Sequence, residues 1–389
     1  MRYEKLFISI TTICYAFYIF SYPPSFYNDD SLFLAQGIDF FSVIDFSPHF
    51  PGYPALIIFG KTINIFVEDS KLTLFILTAS SAILIPTVIY FLVKKIVNYE
   101  AALVAYIISL TSPYLINLSL TMLSDSMGLF FFLLGLYCLQ VNEDKKAGFI
   151  FAIALFSRPS YLILFVVGFI YLLFYKKESV KNILIFFCFG IVFFLGFIFI
   201  NEGFLYIIEA KRFIIGHFNL WGTGQNSEIN WFENIFQFSN IPYALLIYCI
   251  FKINYSLKLY YALFIFYLLW ILLAQNPDNI RHIIPLILLS NILIASALYS
   301  YKYIIIPLFL IFNLLTISNF SQNYSPIENI AKDLKNEDKM IITNRGIEIL
   351  RVLQPNTVID KYYSHSTNYL QTHNQTITIS TLKPKNKKE

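Results

Sequence analysis

Apolar residues run in long stretches broken by short polar segments, without two-residue alternation. The plainest are ISITTICYAFYIF, LTLFILTASSAILIPTVIYFLV, GLFFFLLGLYCL, ILIFFCFGIVFFLGFIFI, YYALFIFYLLWILLA and YIIIPLFLIFNLLTI. They run from 12 to 22 residues, and with their flanking apolar residues they approach the roughly 20 that a helix needs to cross a bilayer. Membrane barrels instead need alternating strands of about ten residues. The pattern predicts an all-α polytopic membrane protein with about eleven crossings. They fall near 5–22, 71–93, 100–117, 119–140, 147–158, 160–175, 183–200, 241–257, 258–275, 282–300 and 302–317. The fifth and sixth are short. GFIFAIALFSRPSYLILFVVGFIYLLFY reads either as one tilted span or as a hairpin turning at Arg158-Pro159. Basic residues prefer the cytoplasmic side, and only the hairpin returns Lys145/Lys146 and Lys176/Lys177 to the same side. The hairpin is therefore the expectation.

The same rule sets the orientation. With the N-terminus in the cytoplasm, the short inner segments carry most of the lysines, and the longer outer ones hold few cations. Two outer loops result, 23–70 and 201–240, and the tail after residue 317 is also outside. The expected division is 1–317 for the membrane domain and 318–389 for a small external tail. That tail reads as helix (IENIAKDLK), strand (KMIITN), helix (GIEILRVLQ) and strand (TVID), then a polar end, so it is α/β-like. The first outer loop is amphipathic: DSLFLAQGIDFF has helical spacing, and PALIIFGKTINIF is a second apolar stretch too short to span. Both suit the membrane interface.

Composition agrees with the pattern. The chain is 57% hydrophobic and 13% charged, about half the charge of soluble domains. A net charge of +4 spread over topology-setting lysines leaves no dense basic patch, which argues against nucleic acid. Cys14, Cys138, Cys188 and Cys249 all lie in apolar runs, with neither metal-ligand nor disulfide spacing. The first span lacks a small-x-small cleavage site and is expected to stay as an anchor.

Against that background the acids of YNDDSLFLAQGIDFF stand out, because carboxylates beside lipid are costly. The order runs from a membrane helix to that acidic pair, then SPHFPGYPALIIFGK, Asp125 in LSLTMLSDSMGLFFFLLGLYCL, ALFSRPSYLIL and NPDNIRHIIPL. Over roughly residues 1–300 this series resembles the GT-C class of membrane glycosyltransferases, nearest to the protein O-mannosyltransferases and the lipid A aminoarabinose transferases. The resemblance implies a sugar donor on a polyprenyl phosphate, a lipid, glycan or protein acceptor, and a site on the outer face of a bilayer. A bacterial inner membrane is the expected location. Transfer inverts the anomeric carbon in one displacement. It needs a base for the acceptor hydroxyl and positive groups for the departing phosphate.

In the family's pattern the first acid is the catalytic candidate, and it falls on Asp29. Asp30, often Glu in relatives, either orients the acceptor or holds a divalent cation such as Mg or Mn. The plainer alternative is that both acids cap the following helix. Asp125 is either a second acid of the outer cavity or an N-cap. Arg158 is either a phosphate ligand or a side chain reaching the interface. Arg281 matches phosphate geometry, with a salt bridge to Asp278 as the alternative. His282 stands where the family carries Tyr, which puts a stacking role in doubt. His49 in HFPGYP is a candidate for the acceptor side, with a plain turn as the simpler reading. Lys211, Arg212, His217 and Trp221 are candidates in the second outer loop, with an interfacial role the plainer reading. Two other activities compete. A polymerase or ligase of lipid-linked polysaccharide would lean on late-loop arginines. A flippase would show repeated halves, and no repeat is visible.

Overall fold

A computed structural model describes residues 2–221, 230–251, 255–317, 324–335, 340–343, 346–354, 358–360 and 376–379. Helices dominate. The first is α1 (Arg2–Phe20), followed by α2 (Asp29–Asp39), α3 (Pro54–Val67) and α4 (Ser70–Ile96). Next come α5 (Tyr99–Leu110), α6 (Pro113–Leu120), α7 (Ser124–Gln140), α8 (Asp144–Ser157), α9 (Leu162–Tyr175) and α10 (Lys177–Glu202). The segment 201–240 carries α11 (Leu205–Trp221) and α12 (Trp231–Ile235). Then follow α13 (Leu245–Phe251), α14 (Lys258–Ala274), α15 (Ile284–Leu298) and α16 (Lys302–Ile317).

Three helical units are long and apolar enough to cross a bilayer: α4, α10 and the continuous 38-residue stretch Ile280–Ile317 that includes α15 and α16. A fourth arises if α5 and α6, bent by 57° at a short break, count as one span. The expected eleven crossings are thus not established. Several apolar runs fold as helices of 10–17 residues, among them α3, α7 and α14. Prolines and polar breaks such as Ser112-Pro113 interrupt backbone hydrogen bonding, a cost that hydropathy does not register. The outward faces still read as lipid-facing. On α1, Leu6, Ile10, Ile13, Phe17 and Phe20 form an exposed stripe at helical spacing. On α10, Ile185, Phe189, Val192, Phe193 and Ile200 are exposed. Apolar surface of this extent needs a hydrocarbon cover, and the chain is a helical integral membrane protein.

The segment 147–175 is a hairpin. The Phe151 ring of α8 lies 5.8 Å from Phe165 and 6.4 Å from Phe169, both on α9. In one continuous helix, residues 151 and 169 would be about 27 Å apart. Gly135 and Gly148 let α8 approach its neighbours closely: a Cβ on Gly148 would sit 2.3 Å from the Ile183 carbonyl oxygen of α10.

Both apolar stretches of the segment 23–70 fold as helices. Leu32, Leu34, Ala35 and Ile38 of α2 are buried, as is the first turn of α3, because both pack into the bundle. The tail adds α17 (Pro326–Leu334) and α18 (Ile347–Leu353) beside a parallel sheet of β1 (Met340–Thr343), β2 (Val358–Asp360) and β3 (Thr376–Ile379) in the order β2-β1-β3. Ile341 pairs with Val358 on one side and Ile377 on the other. The sequence reading had no counterpart to β3.

Candidate functional site

Asn28 has extended backbone and accepts the Ser31 N–H through its side chain, so it caps α2. Asp29 and Asp30, in the first turn, are therefore not needed as caps, and both carboxylates are used elsewhere. Asp30 Oδ2 lies 2.8 Å from Arg281 Nη2, and its Oδ1 lies 3.9 Å from His49 Nδ1. The guanidinium expected to face either phosphate or Asp278 thus meets Asp30, which comes from 251 residues earlier. Burial disfavours the Asp30 carboxylate, but Arg281, then His49, outweigh it and hold its pKa well below the usual carboxylate range. Arg281 itself keeps two donors unused: Nε and Nη1 are buried without a hydrogen-bond partner. Buried donors in that state are costly unless something accepts from them.

His49 sits in HFPGYP, where the Ser47-Pro48 and Phe50-Pro51 bonds are cis. Gly52 has φ +87°, a conformation that suits glycine, and its α-carbon faces Val43 and Phe41 closely. His49 is buried and points inward. Its Nε2 meets the Tyr53 hydroxyl at 3.1 Å, and its ring stacks on Phe213 of α11 at 5.8 Å. Burial first, then Arg281 and Arg158, lower the His49 pKa against the opposing pull of Asp30. The imidazole is thus neutral at pH 7.

Arg158 closes the α8–α9 turn and is buried. Its Nε lies 3.1 Å from Asp125 Oδ1, and its Nη1 donates to Ser124 Oγ at 3.3 Å. Tyr161 donates its hydroxyl to the same Asp125 oxygen at 2.9 Å, while Asp125 Oδ2 is buried without a partner. Neither of the plainer readings holds here: Arg158 does not reach outward, and Asp125 is a fully buried ion-pair partner. Gly128 makes room, since a Cβ there would lie 2.6 Å from Arg158 Cβ. Arg158 faces the cluster electrostatically, acting on Asp30, His49, Tyr53 and His282.

Asp29 turns the other way. Its Oδ1 accepts the backbone N–H groups of Glu348 and Ile349, at 3.1 and 3.2 Å, at the start of α18 in the tail. Burial, the largest cause, together with the nearby charges of Glu348 and Asp30, raises its pKa against those two N–H bonds. Among the described residues its Oδ2 has no hydrogen-bond partner.

Two candidates from the second outer loop do not join. Lys211 and Arg212 are exposed on α11, and Arg212 lies 3.5 Å from Glu209 on its own helix. Helical spacing turns them to the outer side while Phe213 and His217 face inward. His217 reaches the backbone of Ala274 and feels Arg158. His282 is buried next to Arg281. Trp221 ends α11, but its side chain lies outside the described residues, as do residues 222–226 of GTGQN. The sequence reading missed Tyr53, Tyr161 and the two tail amides. No local pattern signalled these, because 49–53 is a turn rather than a helix and backbone amides leave no trace in the sequence.

Both Asp30 oxygens face nitrogen groups, and among the described residues no group of three His, Cys, Asp or Glu could hold a metal.

Residues 49–200 match the family described as dolichyl-phosphate-mannose-protein mannosyltransferase. The match takes in His49, Asp125 and Arg158. No curated protein matches the chain. Among solved structures, the oligosaccharyltransferase of Archaeoglobus fulgidus, crystallised with zinc and sulfate, is similar with a TM-score of 0.44 at 14% identity. That similarity covers 87% of this chain and 59% of the other, so the chain spans less than two thirds of its length. The resemblance to GT-C membrane glycosyltransferases is therefore carried by the mannosyltransferase family match over residues 49–200.

Proposed function

We propose that the protein is an integral-membrane glycosyltransferase that moves a sugar from a polyprenyl-phosphate donor to an acceptor hydroxyl on the outer face of a bacterial inner membrane. The observation that carries this reading is Arg281, whose Nε and Nη1 are buried and unpaired while its Nη2 is held by Asp30. A phosphate oxygen suits either of those free donors, because guanidinium N–H groups form strong charge-assisted bonds to phosphate. Asp30 fixes the guanidinium from its other side. Arg158, held by Asp125, adds positive potential behind it.

Asp29 is the base in this reading. Asp30 is too weakly basic beside Arg281, whereas burial makes Asp29 a better proton acceptor. The acceptor oxygen attacks the anomeric carbon and its proton passes to Asp29. The bond from that carbon to the phosphate oxygen breaks, and the electron pair leaves with the lipid phosphate, stabilised by Arg281. One displacement inverts the anomeric centre. Neutral His49 and Tyr53 line the acceptor side.

The test is transfer in native membranes, where the acceptor is present, with a panel of labelled polyprenyl-phosphate sugars. Label appearing in an acceptor with wild type and lost with Arg281→Ala supports the reading. No transfer from any donor by well-folded protein sinks it and favours a transporter or polymerase.

A further inference from the structure

The tail grips the YNDD segment at both ends. Upstream, Glu328 of α17 is buried, accepts the Phe26 N–H at 2.6 Å and pairs with Lys71 of α4 at 2.7 Å. Ser325 takes a hydroxyl contact from each side: its N–H donates to Ser25 Oγ at 2.7 Å and its own hydroxyl donates to the Phe26 carbonyl. Downstream, α18 gives the Glu348 and Ile349 N–H groups to Asp29. Ile349 is fully buried and belongs to the main membrane-domain core rather than to the tail's own small core. Gly346, at φ +62°, starts α18 with its α-carbon against Ile327 of α17, which locks the two tail helices together.

We propose that the C-terminal tail is part of the transfer site: α17 anchors the chain before Asp29, and the Glu348 and Ile349 amides aim the Asp29 carboxylate, making Glu348 a positioning residue. The proposal rests on Asp29 being the base. The two amides satisfy Oδ1 and so direct Oδ2 toward the acceptor proton. The charged groups facing Asp29 are Glu348 across from it and Asp30 beside it, and Arg351 pairs with Glu348. The Glu348 carboxylate favours the protonated form of Asp29 and so tunes its basicity.

Two substitutions separate the amide from the carboxylate. Glu348→Pro removes one N–H at the second position of α18, where no intrahelical bond is lost. Glu348→Ala keeps the N–H. Glu348→Pro is expected to lower kcat by about tenfold to a hundredfold relative to Glu348→Ala, with donor KM alike in both, since Arg281 is untouched. Glu348→Gln is expected to move the acid limb of the rate profile to lower pH, because it removes a negative neighbour of the base. Equal kcat for the Pro and Ala variants together with an unmoved acid limb overturns the proposal. If Glu348→Pro fails to fold, the Glu348→Gln profile alone decides. Activity surviving in Asp29→Asn is a different failure, that of the base assignment itself.

Discussion

Asp29 and Asp30 are neighbours in the chain with opposite electrostatics. The Asp30–Arg281 pair stabilises the folded state above the ordinary carboxylate pKa of about 3.9 and is lost only as pH falls through the depressed folded value. Asp29 has the reverse sign. Its folded pKa is raised, so its ionisation costs stability as pH rises from the usual carboxylate value through the folded one. Asp29→Asn should therefore leave the fold as stable as wild type or more so at pH 7, while activity falls by about two to four orders of magnitude. Thermal unfolding in detergent beside the transfer assay checks both halves, and a lower midpoint would contradict the assignment of strain to this carboxylate. The sequence singled out both acids and Arg281 because charges are scarce in such a chain. It could not show that Asp30 pairs with Arg281, since the partners are 251 residues apart and no local pattern links them.

Helix breaks set where the charged groups sit. Arg158 lies in the turn between α8 and α9, and Asp125 lies in the first turn of α7, so a buried pair forms where three elements meet. Asp125→Ala should cost about 3–5 kcal/mol by leaving a buried guanidinium uncompensated. Gly128→Val should destabilise by pushing on Arg158 Cβ, and both effects are read from unfolding midpoints. If Asp125→Ala melts with wild type, Arg158 is compensated by something other than this pair. The hairpin was legible from the two lysine pairs alone, because charge placement constrains which ends share a side. Helix lengths were not legible: Ser112-Pro113 splits one apolar run, and α15 with α16 joins two. The direction in which Lys211 and Arg212 face was not legible for a related reason, since a charged pair in a loop carries no sign of which face its helix will present.

At the scale of the whole molecule, the acidic pair and the tail touch, so they occupy the same side of the membrane whichever way the bundle is oriented. Cysteines introduced at exposed Phe46 and Val352 should react together with an impermeant thiol reagent from the periplasmic side. A cysteine at exposed Lys145 should react only after the membrane is opened. Labelling of Lys145→Cys with the other two would overturn the orientation. The tail contact was the least legible feature, because the tail reads in sequence as a detached α/β appendage and its bonds to Asp29 come from backbone amides. The central claim, sugar transfer with Asp29 as base, is tested most directly by turnover of a polyprenyl-phosphate sugar by wild type, Asp29→Asn and Asp30→Asn at matched expression. The account predicts that Asp29→Asn lowers kcat by about two to four orders of magnitude with donor KM kept, and that Asp30→Asn raises donor KM by loosening Arg281. Full turnover by Asp29→Asn would contradict it.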